Sequence, residues 1–329
     1  GVAVQGATAC KAAVPQGVCE DATGSLWQTL RGIKGGMGEE VAALAPAAAA
    51  QVYRVEAGRS AAEPLRLTFD FAGENTLNDV GIYAADGSEV TVIMLLRSTA
   101  EATGTATVRT RLYAGKNARV RLVQVQLLGD NMRFLNDIGS DSAAGGKIEL
   151  VQLVLGGGDT YNGCHAELSA PQAGLAVDIA YRRTHPARLD MNYTASHTAR
   201  QTTSQINASG VLCSGAFKLF RGTIDFKRGS AQSKGSEKED VLLLSDDVVN
   251  QTIPLILCKE EDVEGNHGAT IGQLDEDLLF YLAARGFTRA QIYDLMARAR
   301  IDAVCKKIPD EATQQAVQAY LDEKMREAE

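Results

Sequence analysis

The chain has 329 residues, about two domains' worth of polypeptide, and its 45% hydrophobic content excludes intrinsic disorder as the main state. Its 33 basic and 41 acidic residues give a net charge of −8, which argues against a general nucleic-acid binder, because such a protein needs a basic face. No apolar run approaches the roughly 18 residues of a membrane span; residues 41–52 are mostly alanine and are broken by Pro46.

The sequence opens Gly1-Val2-Ala3-Val4 without methionine, so Gly1 is set aside as a cloning remnant or trimmed end. Lys11 is the only basic residue before Arg31 and no compact apolar core follows it, which argues against a secretory signal. The cysteines are Cys10, Cys19, Cys164, Cys213, Cys258 and Cys305, with no C-x-x-C pair. Such spacing argues against a disulfide framework, excludes a zinc ribbon and suits a reducing cytoplasm.

Residues 1–60 are rich in Ala and Gly and read as a loose, partly helical N-terminal region. One helical turn is expected at 26–30 and a break at Gly35-Gly36-Met37-Gly38. From residue 65 the texture changes. Leu65, Leu67, Phe69 and Phe71 alternate with Arg66, Thr68 and Asp70, the period-2 signature of a strand. Val108, Thr110 and Leu112 make a second run. Val120 and Leu122 start a third, whose apolar phase flips to Val123, Val125 and Leu127, predicting a corner or bulge. Residues 148–155 are apolar on both faces. Further runs carry Leu175, Val177, Ile179 and Tyr181; Leu189, Met191 and Tyr193; Phe217 and Leu219; Ile224 and Phe226; and residues 241–244.

Strand centres recur about every 13 residues between Gly, Asn and Asp turns, with no helical period from about 90 to 245. Parallel α/β architecture needs a helix between strands and is excluded there. So many short strands exceed a simple sandwich, and a solenoid, whose core grows by stacking, fits better than a barrel. A mainly β core is therefore expected over 61–258 and a helical region over 259–329. In the latter, Leu274, Leu278, Leu279 and Leu282 sit at helical spacing and Gly286 suits a C-terminal cap. Thr288 and Gln291 have capping-box spacing ahead of Ile292, Leu295, Met296 and Ala299. A third helix starts at Pro309-Asp310. These helices read as a small bundle whose removal after Gly286 leaves the β core folded.

No phosphate loop is present, so no ATP binding is expected: Gly156-Gly157-Gly158 lacks the following Lys-Ser/Thr and reads as a turn. Adjacent Cys164 and His165 would point to opposite faces of a strand, which weakens them as a metal pair. His185 precedes Pro186 and reads as a turn residue; His197, among Thr and Ser, reads as solvated. Glu260-Glu261-Asp262-Val263-Glu264 reads as a solvated linker between strands and helices. His267 lies at that junction, beside Gly268, in a tight turn.

The string around it, Asp262-Val263-Glu264-Gly265-Asn266-His267-Gly268-Ala269-Thr270-Ile271-Gly272-Gln273-Leu274-Asp275, continues through Leu279-Phe280-Tyr281-Leu282 to Arg285-Gly286. It resembles the SufB/SufD family, scaffold subunits of the SUF iron–sulfur cluster assembly machinery. Phe220-Arg221-Gly222-Thr223-Ile224, Leu242-Leu243-Leu244-Ser245 and Pro254-Leu255-Ile256-Leu257 agree, so the resemblance covers about residues 65–329. It implies a right-handed parallel β-helix, pairing with a SufB-like subunit or a second copy, and docking of a SufC-like ABC ATPase. The docking residues implied are Leu278, Leu279, Tyr281, Leu282, Arg285, Ile292, Leu295 and Met296. It further implies a transient iron–sulfur cluster in the complex, no cofactor held stably by the chain alone, and His267 as the interface residue and candidate metal ligand. SufB-type chains carry Cys where this chain has Glu239, and Glu after the histidine where it has Gly268; both departures point to the SufD type. A homodimeric cluster scaffold, with Cys164, Cys213 and Cys258 as thiols in reserve, and a polysaccharide-acting β-helix enzyme are the competing readings. The enzyme would need a carboxylate or basic cluster on the solenoid face.

Overall fold

The computed structural model describes residues 3–183, 186–213 and 215–326; His185 lies outside them. Strands β1 (Cys10–Ala13) and β2 (Val18–Glu20) precede two short helices, α1 (Ser25–Leu30) and α2 (Glu39–Ala42). Then come β3 (Gln51–Val55), β4 (Leu65–Phe71), β5 (Thr76–Ala84), β6 (Glu89–Ser98), β7 (Gly104–Ala114), β8 (Arg119–Leu127), β9 (Met132–Ser142) and β10 (Lys147–Val154). They are followed by β11 (Thr160–Leu168), β12 (Gly174–Arg183), β13 (Arg188–His197), β14 (Thr203–Leu212), β15 (Phe217–Phe226), β16 (Ser233–Leu243), β17 (Val249–Cys258) and β18 (Val263–Gly272). Helices α3 (Glu276–Ala283), α4 (Arg289–Cys305) and α5 (Glu311–Arg326) complete the chain described.

Even-numbered strands from β4 to β18, with β1 at one edge, form one nine-stranded sheet; odd-numbered strands from β3 to β17, with β2, form the other. Successive strands alternate between the sheets and strands two apart pair in parallel, so each coil of this β-solenoid gives one strand to each sheet. The register advances 27 residues from Ile148 to its neighbour Leu175 and 31 from Thr203 to Lys234. The sequence period near 13 is half a coil.

One phase of each strand faces the lumen. In β4, Leu65, Leu67, Phe69 and Phe71 are buried between half-buried Arg66, Thr68 and Asp70. Parallel register stacks same-phase residues in columns about 4.8 Å per step. One column reads Leu65, Val92, Leu122, Leu150, Val177 and Ile206. The two ends differ. β1 lies antiparallel on β4 and β2 antiparallel on β3, whereas β17 and β18 are followed by no further strand among the described residues. The core thus begins with β3, before residue 61, and ends with β18, beyond Cys258. The acidic run at 260–264 is accordingly the turn between β17 and β18, running into β18, rather than a linker to the helices.

The expected bulge at Val123 is absent: β8 pairs unbroken with both β6 and β10. Its two faces are both apolar because both are buried. Val123, Val125 and Leu127 point outward with Ile93, Val151, Leu153 and Leu155, and pack under Ile301, Val304, Ile308, Val317 and Leu321 of the C-terminal helical layer. The same covering explains residues 148–155. Ion pairs rim the layer: Arg66 with Asp310 (2.6 Å) and Lys307 with Asp178 (2.7 Å). Gly286 ends the α3 segment at φ +93°, and the Thr288–Gln291 capping box opens α4.

On the outer face of the other sheet, Gly36 lies directly on Gly163, and a Cβ on either would collide with the other's backbone. Met37 N donates to Asp137 (2.9 Å) and Asn192 to the Gly36 carbonyl (2.9 Å). Arg109 pairs with Asp79 through Nε (2.6 Å) and Nη2 (2.7 Å), and its Nη1 donates to the carbonyls of Ala42 (3.0 Å) and Leu44 (2.9 Å). The glycine break of the N-terminal region is thus a close-contact clip.

Gly156-Gly157-Gly158 is a bend, with Gly157 at φ +91°. Buried Arg183 donates to the carbonyls of Gly156 (3.2 Å), Gly157 (2.7 Å) and Gly158 (2.5 Å), and burial pulls its guanidinium down to about 10. Arg183→Met is expected to lower the unfolding free energy by about 3 kcal/mol in urea titrations, because it strips donors from several buried carbonyls.

Candidate functional site

The aliphatic column of the lumen ends in Glu237 on β16 and His267 on β18, side by side in register. The next column runs Ile179, Ala208, Glu239 and Ala269. Strict alternation along β16 turns Gly235, Glu237, Glu239 and Val241 inward and leaves Lys234 and Lys238 exposed. The last two coils therefore exchange an apolar lumen for a charged one.

Glu239 is fully buried. It accepts from Lys218 Nζ (2.5 Å), Thr252 Oγ1 (2.5 Å) and Tyr181 OH (3.2 Å). Burial pulls the Lys218 ammonium below its ordinary value, with Glu239 opposing, and pushes the Tyr181 phenol far up. Glu237 is 5% exposed and makes no hydrogen bond among the described residues. Burial, reinforced by Glu239 and opposed by Lys218, pushes its carboxyl up to about 7. Gly222 on the facing strand makes room for it, since a Cβ there would strike the carboxyl.

His267 is exposed and belongs to strand β18, not to a tight turn. The Gly- and Asn-rich strand has weak β signal, and its Gly265 sits tightly in the lumen: a Cβ there would press on Ile256 and Phe226. Beside this mouth, the outward residues Val249, Ile253, Leu255 and Leu257 of β17 are exposed, Ile253 to 52%, and so is Ile271 of β18, which shares the lumenal phase of its register neighbour Val241. Asn250 Oδ1 is buried without a hydrogen-bond partner among the described residues. β17 also carries Pro254, which edge strands tolerate.

The residues implied for ATPase docking divide. Tyr281, Arg285 and Leu295 are exposed, and the Arg285 guanidinium lies 4.3 Å over the Tyr281 ring. Leu278, Leu279 and Leu282 are half-buried. Ile292 is buried, and Met296 packs with Val211, Leu242 and Ala297, so these two face the protein body. Phe280, 78% exposed, was missed, and its place in the Leu-Phe-Tyr-Leu run of α3 was the available signal.

Other candidates fall away from the mouth. Cys164 faces the lumen, where burial pushes its thiol up to about 12. His165, on the opposite face, meets Glu167 (3.3 Å), which also accepts from Ser196 (3.2 Å) and Thr198 (3.1 Å). His165, Glu167 and Ser196 of this cluster line a surface pocket with Asn192, Asp225 and Lys227. Among the described residues no three His, Cys, Asp or Glu side chains are grouped to hold a metal ion.

His197 is buried rather than solvated, bonded to Thr202 (2.7 Å) and Ser204 (2.8 Å). Burial pulls it from 6.5 to about 4. The unfolded chain therefore takes the proton first. Stability present above pH 6.5 is lost as pH falls toward 4, by about 3 kcal/mol in full. Glu237 titrates in the opposite sense, so the effect is expected in the difference between wild type and His197→Gln, followed by urea unfolding from pH 7.5 to 4.5.

A parallel two-sheet β-solenoid, capped at one end and open at the other, is the class of protein defined by these features. The family model for the SufBD core domain of SUF-system FeS cluster assembly matches residues 69–300, and the chain belongs to this family. It is similar to the iron–sulfur cluster assembly protein SufD of Bacillus subtilis, 24% identical over 258 residues, 76% of this chain and 57% of that protein. It also resembles SufBD family proteins of Mycobacterium tuberculosis (26% identical, 59% of this chain, 23% of that protein) and Staphylococcus epidermidis (25%, 60% and 42%). The chain spans less than two thirds of the length of each of these relatives.

Proposed function

We propose that this chain is a SufD-type, non-catalytic scaffold subunit of iron–sulfur cluster assembly. It pairs through its open end with a SufB-like subunit, or with a second copy, and receives a SufC-like ABC ATPase on its C-terminal helices. The observation that carries the reading is the unlike treatment of the two ends. One ends in the short antiparallel strands β1 and β2, of 4 and 3 residues, while the other leaves the 10-residue strands β17 and β18 and five large apolar side chains uncovered. Bare edges of this kind template pairing with another chain. Glu239 and Gly268, where SufB-type chains have Cys and Glu, favour the SufD type. The cluster is cargo, and His267 is the ligand this chain offers at the mouth, since a neutral imidazole binds iron. Phe280, Tyr281, Arg285 and Leu295 are the exposed groups an ATPase subunit would meet. Among the described residues no helix is long and apolar enough to cross a membrane, and the cluster chemistry suits a reducing cytoplasm.

Co-purification with cognate SufB-like and SufC-like subunits tests the pairing, and its failure sinks the reading. His267→Ala is expected to melt within about 0.5 kcal/mol of wild type, as exposed substitutions do. It should retain both partners and yield less cluster in the reconstituted complex. Full cluster yield removes His267 from the reading.

A further inference from the structure

We propose that Glu237 is the positioning residue for His267: the lumenal carboxyl that holds one ring nitrogen inward and turns the other out of the mouth. The inference rests on the role assigned to His267 above.

Six consecutive coils place an aliphatic side chain at this lumen position, from Leu65 to Ile206. The seventh places Glu237 there and the eighth His267. A carboxyl in place of an aliphatic costs stability unless something pairs with it. The other polar groups nearby are already engaged. Glu239 accepts three donors, and Lys218 Nζ is taken up by Glu239 and Thr252. Across the lumen, Glu237 meets Gly222, which offers no side chain and whose hydrogen atom is what leaves the carboxyl its space. Its in-register neighbour on the other side is Ile206, which cannot donate.

Among the described residues, His267 is the in-register neighbour of Glu237 with a donor not already engaged. It stands one strand on, on the same face, about 4.8 Å away by sheet geometry, and it makes no hydrogen bond among the described residues. Glu237 retains 5% exposure, as a group just below an open end would. An imidazole that gives one N–H to a carboxylate is fixed in tautomer and ring orientation, and its other nitrogen becomes a better lone-pair donor. Here that nitrogen would face whatever covers β17 and β18.

The test uses the full chain labelled with 15N-histidine. Its four histidines give four pairs of ring signals, and His267 is identified by the pair lost in His267→Asn. In the wild type, the two His267 nitrogens are expected at well-separated shifts, one protonated and one bare. In Glu237→Gln they should move toward each other as the tautomers mix, with the other three histidines unmoved. Glu237→Leu, which continues the aliphatic column, serves if the amide variant does not fold and should free the ring in the same way. In the assembled complex, either variant is expected to lower cluster formation by about 10-fold, the lower range for loss of a ligand-orienting group, with partner binding intact. Unchanged His267 ring shifts overturn the proposal, even if cluster formation falls. Full cluster yield from His267→Ala instead overturns the role of His267 and leaves the ring result standing, so the two failures are distinct.

Discussion

Glu239→Ala is expected to lower the unfolding free energy by about 3–5 kcal/mol, the range for removing one partner of a buried ion pair. Lys218 is fully buried and, among the described residues, Glu239 is its only charged partner within ion-pair distance. Removing the carboxylate leaves an ammonium in an apolar lumen, already pulled below its ordinary value by burial. It also removes the acceptor of Thr252 and Tyr181. Lys218→Met combined with Glu239→Leu should recover most of the loss, because two apolar side chains of similar size cost little where an unpaired charge costs much. Urea unfolding of the two single variants and the double variant measures the coupling; additive losses would show that the pair does not act as a unit. The pair also bears on the SufB-type cysteine. Glu239→Cys would put a thiol at that position but strand Lys218 beneath it, so the exchange is expected to be as destabilising as Glu239→Ala unless Lys218 is replaced too. A single substitution does not interconvert the two types here.

The sequence pattern was clearest where one strand face meets an apolar lumen and the other meets water. β4 has this form, and its Leu65–Phe71 alternation is plain. β8 and β10 lost the alternation because the helical layer buries their outer face, and a chain read without its tertiary partners shows that only as a phase flip. β16 was seen only from Val241 onward, because its earlier lumenal residues are Gly235, Glu237 and Glu239. β18 was read as a turn because Gly265, Asn266 and Gly268 have poor strand propensity; register with β16 and the crowding at Gly265 override it. His267 itself was found through the family string, and nothing local marks it. Its neighbour Glu237 could not be found that way, since the two are 30 residues apart and meet only through the coil length. His197 was misplaced for a related reason: its Thr and Ser neighbours looked like solvent-facing loop but are its buried hydrogen-bond partners.

A chain ending at Gly286 is expected to lose its cooperative melting transition and to aggregate, contrary to the reading of the helices as a removable bundle. The truncation strips α4 and α5 from the outer face of the even-numbered sheet and exposes Val123, Val125, Leu127, Val151, Leu153 and Leu155 together. Burial of each large aliphatic side chain is worth roughly 1.5–3 kcal/mol, so the six together are worth about 9–18 kcal/mol, as much as the whole stability of an ordinary domain. Neighbouring strands would also present a continuous apolar patch to other molecules. The rim of ion pairs goes as well: Arg66 loses Asp310 and Asp178 loses Lys307. Differential scanning calorimetry and sedimentation of the truncated chain settle the matter, and a monomer that melts within a few degrees of the full chain would refute the expectation. ATPase docking must then be tested by side chains that do not hold the layer down. Phe280→Ala, Tyr281→Ala and Leu295→Ala each alter an exposed group and should leave the melt within about 0.5 kcal/mol. Ile292→Ala, by contrast, removes a buried side chain of α4 and should cost about 2–5 kcal/mol. Loss of SufC-like binding in the first three without loss of stability assigns the surface to docking; loss only in Ile292→Ala would mean that binding follows the integrity of the helical layer.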